Sequence, residues 1–301
     1  MTLLSAFPSI KQRGVLVLLL AFLLSIALAA CNMDHRTLPR NMKLKAFDPH
    51  RPDYTCVMEA DGVPAPSAEA EALFQQGLAA TTYGLREAQR DYAKAAQLWE
   101  QAAAQGHWKA ALNLAGLYEQ GMGVHEDTEG AVQIVEQQMN QGVPSAFDKM
   151  GSYHARGIGV NLDINRAYAF WQLAADKGSA TAQAYIGNKL NAVYDKPPSW
   201  WGNKPVGLAM LKCSYAQDNK EAAYDLGVSL NVSMEDYQGA LQVLHNGVKF
   251  GSSDCASYLS ASFDDIEPLT GNTVDKDRSD RYHTLGDALR DNPDLRFPNL
   301  D

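Results

Sequence analysis

Apolar and small residues recur three and four apart over most of residues 67–290, the spacing of one helical face, with polar residues between them. The clearest stretch runs from Ala110 to Gly178. Ala110, Leu114, Ala115 and Tyr118 lead into Gly121, Gly123 and Val124; 36 residues later Ala146, Met150, Gly151 and His154 lead into Gly157, Gly159 and Val160. Each Gly-x-Gly is followed by an Asp (Asp127, Asp163), an Ala (Ala131, Ala167) and a closing Gly (Gly142, Gly178). The glycines allow a tight reversal at positive φ. The Asp suits the N-cap of a second helix, whose apolar stripe includes Phe170, Trp171, Ala174 and Ala175. Each unit is therefore predicted to be a helical hairpin, and a fixed period of this size predicts a stack of them.

The period extends in both directions. A first hairpin at about 67–106 is irregular in its first helix but keeps Lys94, Ala95, Trp99, Ala102, Ala103 and Gly106 in register. A fourth opens with Ala182, Ile186 and Gly187, then loses its Gly-x-Gly turn to a Pro-flanked insertion, Lys196 to Asn203. A fifth opens at Ala222, Leu226 and Gly227 and closes at Gly251; a sixth opens at Cys255, Leu259 and Phe263. An acidic loop, Asp264-Asp265-Ile266-Glu267, precedes a final helix at about 278–290. The expectation is an all-α fold: a right-handed α-solenoid of about six helical hairpins, one continuous domain over residues 67–301.

The N-terminus reads differently. Lys11 and Arg13 precede an uncharged apolar run from Gly14 to Ala30, which describes a secretory signal over residues 1–30. The ending Leu28-Ala29-Ala30-Cys31 resembles the bacterial lipobox, which implies that the Cys31 thiol is acylated and becomes the mature terminus. Asn32 after it resembles lipoproteins sent to the outer membrane. Residues 31–66 hold Pro39, Pro49, Pro52, Pro64 and Pro66 without helical period, as a lipid-anchored tether would. Phe47, Tyr54, Cys56 and Val57 are apolar for a linker, so part of it is expected to dock on the first repeat.

Charge and cysteines narrow the chemistry. The net charge of -9 becomes -11 once Lys11 and Arg13 leave with residues 1–30. That balance argues against nucleic acid and suits a basic protein partner. Acylation of Cys31 leaves Cys56, Cys213 and Cys255. Cys213 and Cys255 fall in hairpins four and six, too far apart for the roughly 4.4–6.8 Å Cα separation of a bridge; the choice between the other pairings stays open.

No HExxH, GxSxG, Gly-Lys-Ser/Thr or CxxC motif occurs, so no enzyme, cofactor or metal site is expected. Gly121-x-Gly123 and Gly157-x-Gly159 follow helices and recur with the repeat, so they are turns rather than nucleotide loops. His107 reads as a helix-start residue, His125 as part of a solvated cap and His154 as a packed residue in a Tyr slot. Asp275, Asp277 and Asp280 lack the Gly and Glu of a calcium loop. What remains is binding, the usual work of a solenoid surface. Trp200, Trp201, Asp264, Asp265 and Glu267 depart most from the repeat and are the candidate partner-binding residues; tryptophan is over-represented among interface anchors.

The hairpin pattern resembles the Sel-1-like repeat, a relative of the tetratricopeptide repeat. Gly106-His107-Trp108-Lys109-Ala110, Arg166-Ala167-Tyr168-Ala169-Phe170-Trp171, His245 to Ser252 and Leu295 to Asp301 resemble one subgroup. Its members are envelope lipoproteins that act as immunity proteins against phospholipase D-type effectors of the type VI secretion system. The resemblance implies a periplasmic binder that blocks such an effector stoichiometrically. A general envelope scaffold or adaptor of the same repeat family is the alternative.

Overall fold

The computed structural model describes residues 38–191 and 202–300. Residues Pro39–Asn41 form a 3-10 turn in a short N-terminal unit that ends at Lys43. From Leu44 onward the chain is a single compact unit. Among the described residues twelve long helices pair in chain order as six hairpins: α1 (Ala68–Thr81) with α2 (Tyr92–Ala104), α3 (Trp108–Gln120) with α4 (Thr128–Asn140), α5 (Pro144–Arg156) with α6 (Ile164–Lys177), α7 (Ala180–Leu190) with α8 (Lys204–Tyr215), α9 (Lys220–Met234) with α10 (Tyr237–Lys249), and α11 (Ser253–Asp264) with α12 (Lys276–Asp291). Among the described residues there is no strand. The all-α solenoid expected from the period is what forms.

The repeat residues act as the pattern implies. Asp127 and Asp163 cap α4 and α6 by accepting the N–H of Gly130 (2.8 Å) and Arg166 (3.0 Å). Asp275 caps α12 through Arg278, which starts that helix at Lys276, two residues before the predicted position. Gly121 and Gly157 end α3 and α5 in the left-handed region, at φ 65° and 72°. The second glycine of each turn adds a close approach. A Cβ on Gly123 would run into the backbone of Tyr92, the first residue of α2, and one on Gly159 would stand 2.5 Å from the carbonyl oxygen of Thr128, the first residue of α4. Each turn thus seats on the helix start of the preceding hairpin. The fifth hairpin has no Gly-x-Gly turn; Glu235, left-handed at φ 54°, makes the reversal between α9 and α10.

The core lies between the two helices of each hairpin and between neighbouring hairpins. Trp99 is buried and donates its indole N–H to the Phe74 carbonyl, 3.2 Å, across the slot left by Gly77. First helices follow one another in contact from α5 through α7 and α9 to α11, while second helices stand further apart. The first helices are therefore the inner layer.

Residues 44–66 do not hang free, and they dock on the middle of the stack rather than on the first repeat. Phe47 and Tyr54 pack with Trp171, Ile186, Leu190 and Val206, in the gap between α6 and α8. This strap finds an apolar gap there because α6 and α8 are second helices, set apart by the stacking. Its backbone is held by amide side chains: Gln172 accepts the Asp48 N–H (2.9 Å), Asn203 donates to the carbonyls of Pro49 and Arg51, and Gln183 to that of Val57. Arg51 pairs with Asp176 at 2.6 Å. Cys56 and Cys213 form a disulfide, which settles the pairing; among the described residues Cys255 is the free, buried thiol, its pKa pushed up to about 12 by burial. Further along, a short helical turn, Glu59–Gly62, crosses to α5, where the Glu59 carboxylate accepts both the N–H (2.8 Å) and the hydroxyl (2.6 Å) of Ser145. Burial, and then the Glu59 charge, push the Asp148 carboxyl up to about 7 against the pull of Lys149.

The C-terminal end returns as well. Past α12, Asp294 accepts the Thr82 hydroxyl (2.8 Å) and the Tyr83 N–H (2.7 Å) on the loop between α1 and α2. The chain then runs back along α10, where the Phe297 N–H reaches the Lys249 carbonyl at 3.1 Å. First and last hairpins are thereby tied together.

Three outcomes are expected. Gly159→Ala should lower unfolding free energy by about 2–4 kcal/mol, through positive φ and the clash with Thr128; Gly142→Ala, with φ 82° and open space around it, should cost only about 1 kcal/mol in the same denaturant titration. Removing the disulfide with Cys213→Ala should cost about 2–4 kcal/mol, since the bridge closes a long loop, and should open residues 44–58 to limited proteolysis while helicity by circular dichroism persists. Asp148 supplies a pH test. A carboxyl whose pKa rises from about 3.9 unfolded to the value in the fold favours folding when protonated and opposes it when ionised. Stability contributed at this site is therefore lost as pH climbs from about 4 to 7. Asp148→Asn should be more stable than the parent by about 1–2 kcal/mol at pH 8, after allowing for solvent screening, with the difference vanishing near pH 4; thermal melts across that range would check it.

Candidate functional site: the inner face of the stack

Repeat register decides which side chains look inward. The residue six after each first-helix N-cap, counted from His107, Val143, Ser179, Asn219 and Ser252, is Asn113, Lys149, Tyr185, Asp225 and Tyr258. None of the five is buried, although each sits on a helix whose other faces are packed. Four residues earlier on the same face stand Lys109, Ser145, Thr181, Glu221 and Asp254. A helix places such residues one above the other, so five helices lay down one continuous stripe.

The stripe changes character along its length. On α3 and α5 the charges are internally paired: Glu119, almost wholly buried, receives Arg156 at 2.8 Å and Lys149 at 3.4 Å, and Lys149 lies 5.3 Å from the buried Tyr153 ring. A groove of about 880 Å³ opens beside them, lined by Leu78, Tyr92, Asn113, Gln120, Lys149 and Arg296. It lies where α1, α3 and the returning C-terminal segment face one another.

On α9 and α11 the stripe is acidic and aromatic. Glu221, Asp225 and Asp254 share it with Tyr224 and Tyr258, whose rings meet edge-on at 6.1 Å. Among the described residues no Lys or Arg forms an ion pair with these three carboxylates. Burial pushes the Asp225 carboxyl up to about 6; the Asn188 amide opposes this, and the charges of Glu221 and Asp254 add to it. Polar ladders fix the helices beneath: Asn191 donates to Ser229 (2.6 Å) and Asn231 to the Tyr258 hydroxyl (2.8 Å). Such a surface is preorganised, and like charges held together without a counter-ion favour an incoming cation.

The sequence-derived candidates fall elsewhere. Cys31, Trp200 and Trp201 lie outside the described residues. Asp264 ends α11 and is ion-paired with Lys276. Asp265 accepts the Ile266 N–H at 2.7 Å, and the Glu267 carbonyl accepts the N–H of Asn272 at 2.9 Å, so the acidic loop is a folded turn with Ile266 68% exposed at its tip. Asp264 and Asp254 sit at opposite ends of α11, about 15 Å of helical rise apart. The structure therefore does not bring the loop together with the inner-face acids. Counting from the N-caps was the signal that could have found Glu221, Asp225 and Tyr258.

His107 and His154 are structural. His107 caps α3, accepting the Ala110 N–H at 3.2 Å, with Glu71 3.1 Å from its other nitrogen. His154 stacks on Phe170 with ring centroids 5.4 Å apart. Among the described residues no three His, Cys, Asp or Glu side chains converge as metal ligands would.

Comparison with known proteins agrees with this architecture. The Sel1 repeat family matches residues 70–107, 108–134 and 148–179, which adds the irregular first hairpin to the two regular ones. No curated protein matches the chain. Among solved structures, the immunity protein Pa5087 of Pseudomonas aeruginosa is similar at 28% identity over 82% of this chain and 92% of that one, with a TM-score of 0.64. The immunity protein PA5088 of the same organism is similar at 25% identity over 83% and 92%, with a TM-score of 0.67. A Sel1 repeat protein from Oxalobacter formigenes shares the fold at 22% identity over 73% of this chain and 87% of that one, with a TM-score of 0.54. The chain carries Sel1 repeats over residues 70–107, 108–134 and 148–179, within an all-α solenoid of helical hairpins.

Proposed function

We propose that this protein is an immunity protein that binds a toxic effector and blocks it without chemistry of its own. The observation that carries the reading is likeness, over most of both chains, to two Pseudomonas aeruginosa immunity proteins. The finer reading follows the subgroup resemblance. The effector is a phospholipase D-type enzyme delivered by a type VI secretion system, met in the periplasm by a protein acylated at Cys31 and held at the outer membrane.

The mechanism is occlusion. Phospholipase D-type active sites use histidine and lysine, so the unpaired carboxylates of α9 and α11 suit the rim of such a site, and Tyr224 and Tyr258 supply apolar area beside them. A tight complex would bury about 1,200–2,000 Å², which the inner stripe supplies only if several hairpins engage together. Trp200, Trp201 and the acidic loop of Asp264, Asp265 and Glu267 stay as a separate candidate contact read from the sequence.

The test mixes residues 32–301 with a phospholipase D-type effector encoded beside the gene and titrates binding and lipid hydrolysis. One-to-one nanomolar binding that abolishes hydrolysis is expected. A Glu221→Gln, Asp225→Asn, Asp254→Asn triple variant should bind at least about tenfold more weakly, chiefly through slower association and a flatter salt dependence. Parent affinity should rise from pH 5.5 to pH 8 as Asp225 ionises, since its pKa near 6 falls in that window. If only the Asp264, Asp265 and Glu267 variants weaken binding, docking belongs to the loop. Folded protein that neither binds nor inhibits removes the pairing and favours an envelope scaffold.

A further inference from the structure

A second groove lies on the outer layer, between α10 and α12. It is about 460 Å³, within the ~300–1,000 Å³ typical of ligand-enclosing sites, and is lined by Leu241, His245, Phe263, Arg278, Arg281 and Tyr282 among others. Its walls are fixed. The Phe263 and Tyr282 rings are parallel at 5.9 Å, the Tyr282 hydroxyl is 2.8 Å from His245 Nδ1, and the Arg278 guanidinium lies 5.3 Å from the centre of the Phe263 ring.

The repeat register shows what kind of object such a groove accepts. Counted from the N-caps Asp163 and Asp236, the α10 residues Leu241, His245 and Lys249 are equivalent to Tyr168, Gln172 and Asp176 of α6. Those three α6 residues hold the strap: Tyr168 lies 5.4 Å from the Phe47 ring, Gln172 accepts the Asp48 N–H and Asp176 pairs with Arg51. The α6/α8 gap is thus filled by extended chain. At α10 the same positions receive the C-terminal segment, with Phe297 bonded to the Lys249 carbonyl and the Leu300 carbonyl 3.2 Å from His245 Nε2. That segment fills one end of the groove. Among the described residues nothing covers the other end, where Gln238, Gln242 and Arg281 are exposed.

Its charge is also distinctive. In a chain of net charge -9, two arginines flank this apolar floor. Asp275 pairs with Arg278 at 3.3 Å, and Asp277 and Asp280 lie on the same helix; Arg281 is exposed beside the groove.

We propose that the open half of the α10/α12 groove binds an extended segment of a partner protein that carries acidic and apolar side chains. The segment lies along α10 as the strap lies along α6, continuing the line of the C-terminal segment, with apolar side chains on Leu241 and Phe263 and a carboxylate on Arg278 and Arg281. Arginine suits this role because its planar fork can take a carboxylate in two hydrogen bonds. The surface is distinct from the inner face, so the inference stands or falls apart from the effector reading.

The probe is a fluorescein-labelled Glu-Leu-Asp-Phe-Glu-Leu peptide, titrated into residues 32–301 by anisotropy, against the same peptide with lysine at its three acidic positions. The acidic peptide should bind at least about tenfold tighter, weaken with salt, and lose at least about tenfold in affinity in an Arg278→Ala, Arg281→Ala variant. Both arginines are exposed, and circular dichroism checks that the variant folds. Gln242→Trp, which fills the groove without touching its charge, should also block binding. Equal binding of the two peptides, or indifference to the arginine variant, overturns the proposal. So does a free protein that sediments as a dimer and becomes monomeric on losing the arginines, because a second copy would then occupy the groove.

Discussion

The joints between the first three hairpins depend on one close approach, a glycine turn pressed against the first residue of an earlier helix. Gly123 meets the start of α2 and Gly159 the start of α4, at separations that leave no room for a Cβ. That contact seats the second and third hairpins on the units before them, and the first helices that touch one another from α5 to α11 carry most of the stripe from Asn113 to Tyr258. A side chain at the second glycine would push the neighbouring hairpins apart at that joint. Function here is a matter of register before it is a matter of any one residue.

The same geometry explains the outer layer. Helices that touch on the inside must diverge on the outside, and the divergence leaves gaps between second helices that no helix fills. The chain closes one with residues 44–58, pinned by a disulfide and by amide side chains that satisfy an extended backbone. Burying unpaired backbone polar groups is costly, which is why Gln172, Gln183 and Asn203 stand where apolar residues would otherwise suffice. The strap is part of the fold.

The hairpins were legible because their signals are local. Helical spacing, Asp caps and Gly-x-Gly turns are written within 36 residues and repeat. Early in the chain the match also extends to an irregular unit, residues 70–107, whose first helix carries little periodicity. What could not be read were contacts between distant segments. Cys56 pairs with Cys213 only because the strap crosses α8, and proline spacing around Cys56 says nothing about that path. The candidate site suffered similarly. Departures from the repeat drew attention to Asp264, Asp265 and Glu267, whereas the exposed Glu221 and Asp254 and the half-buried Asp225 occupy ordinary repeat positions and look unremarkable one at a time. Only stacking lines them up.

The bond from Asp294 to Thr82 and Tyr83 changes how such a stack holds together. In an open array each hairpin leans only on its neighbours, and the end units fray first. Here the terminal units lean on each other, so loosening either one withdraws a contact from both. Melting is thereby turned from a process that creeps in from the ends toward one in which the whole array yields together, and the stripe spread over five helices keeps its spacing until it does.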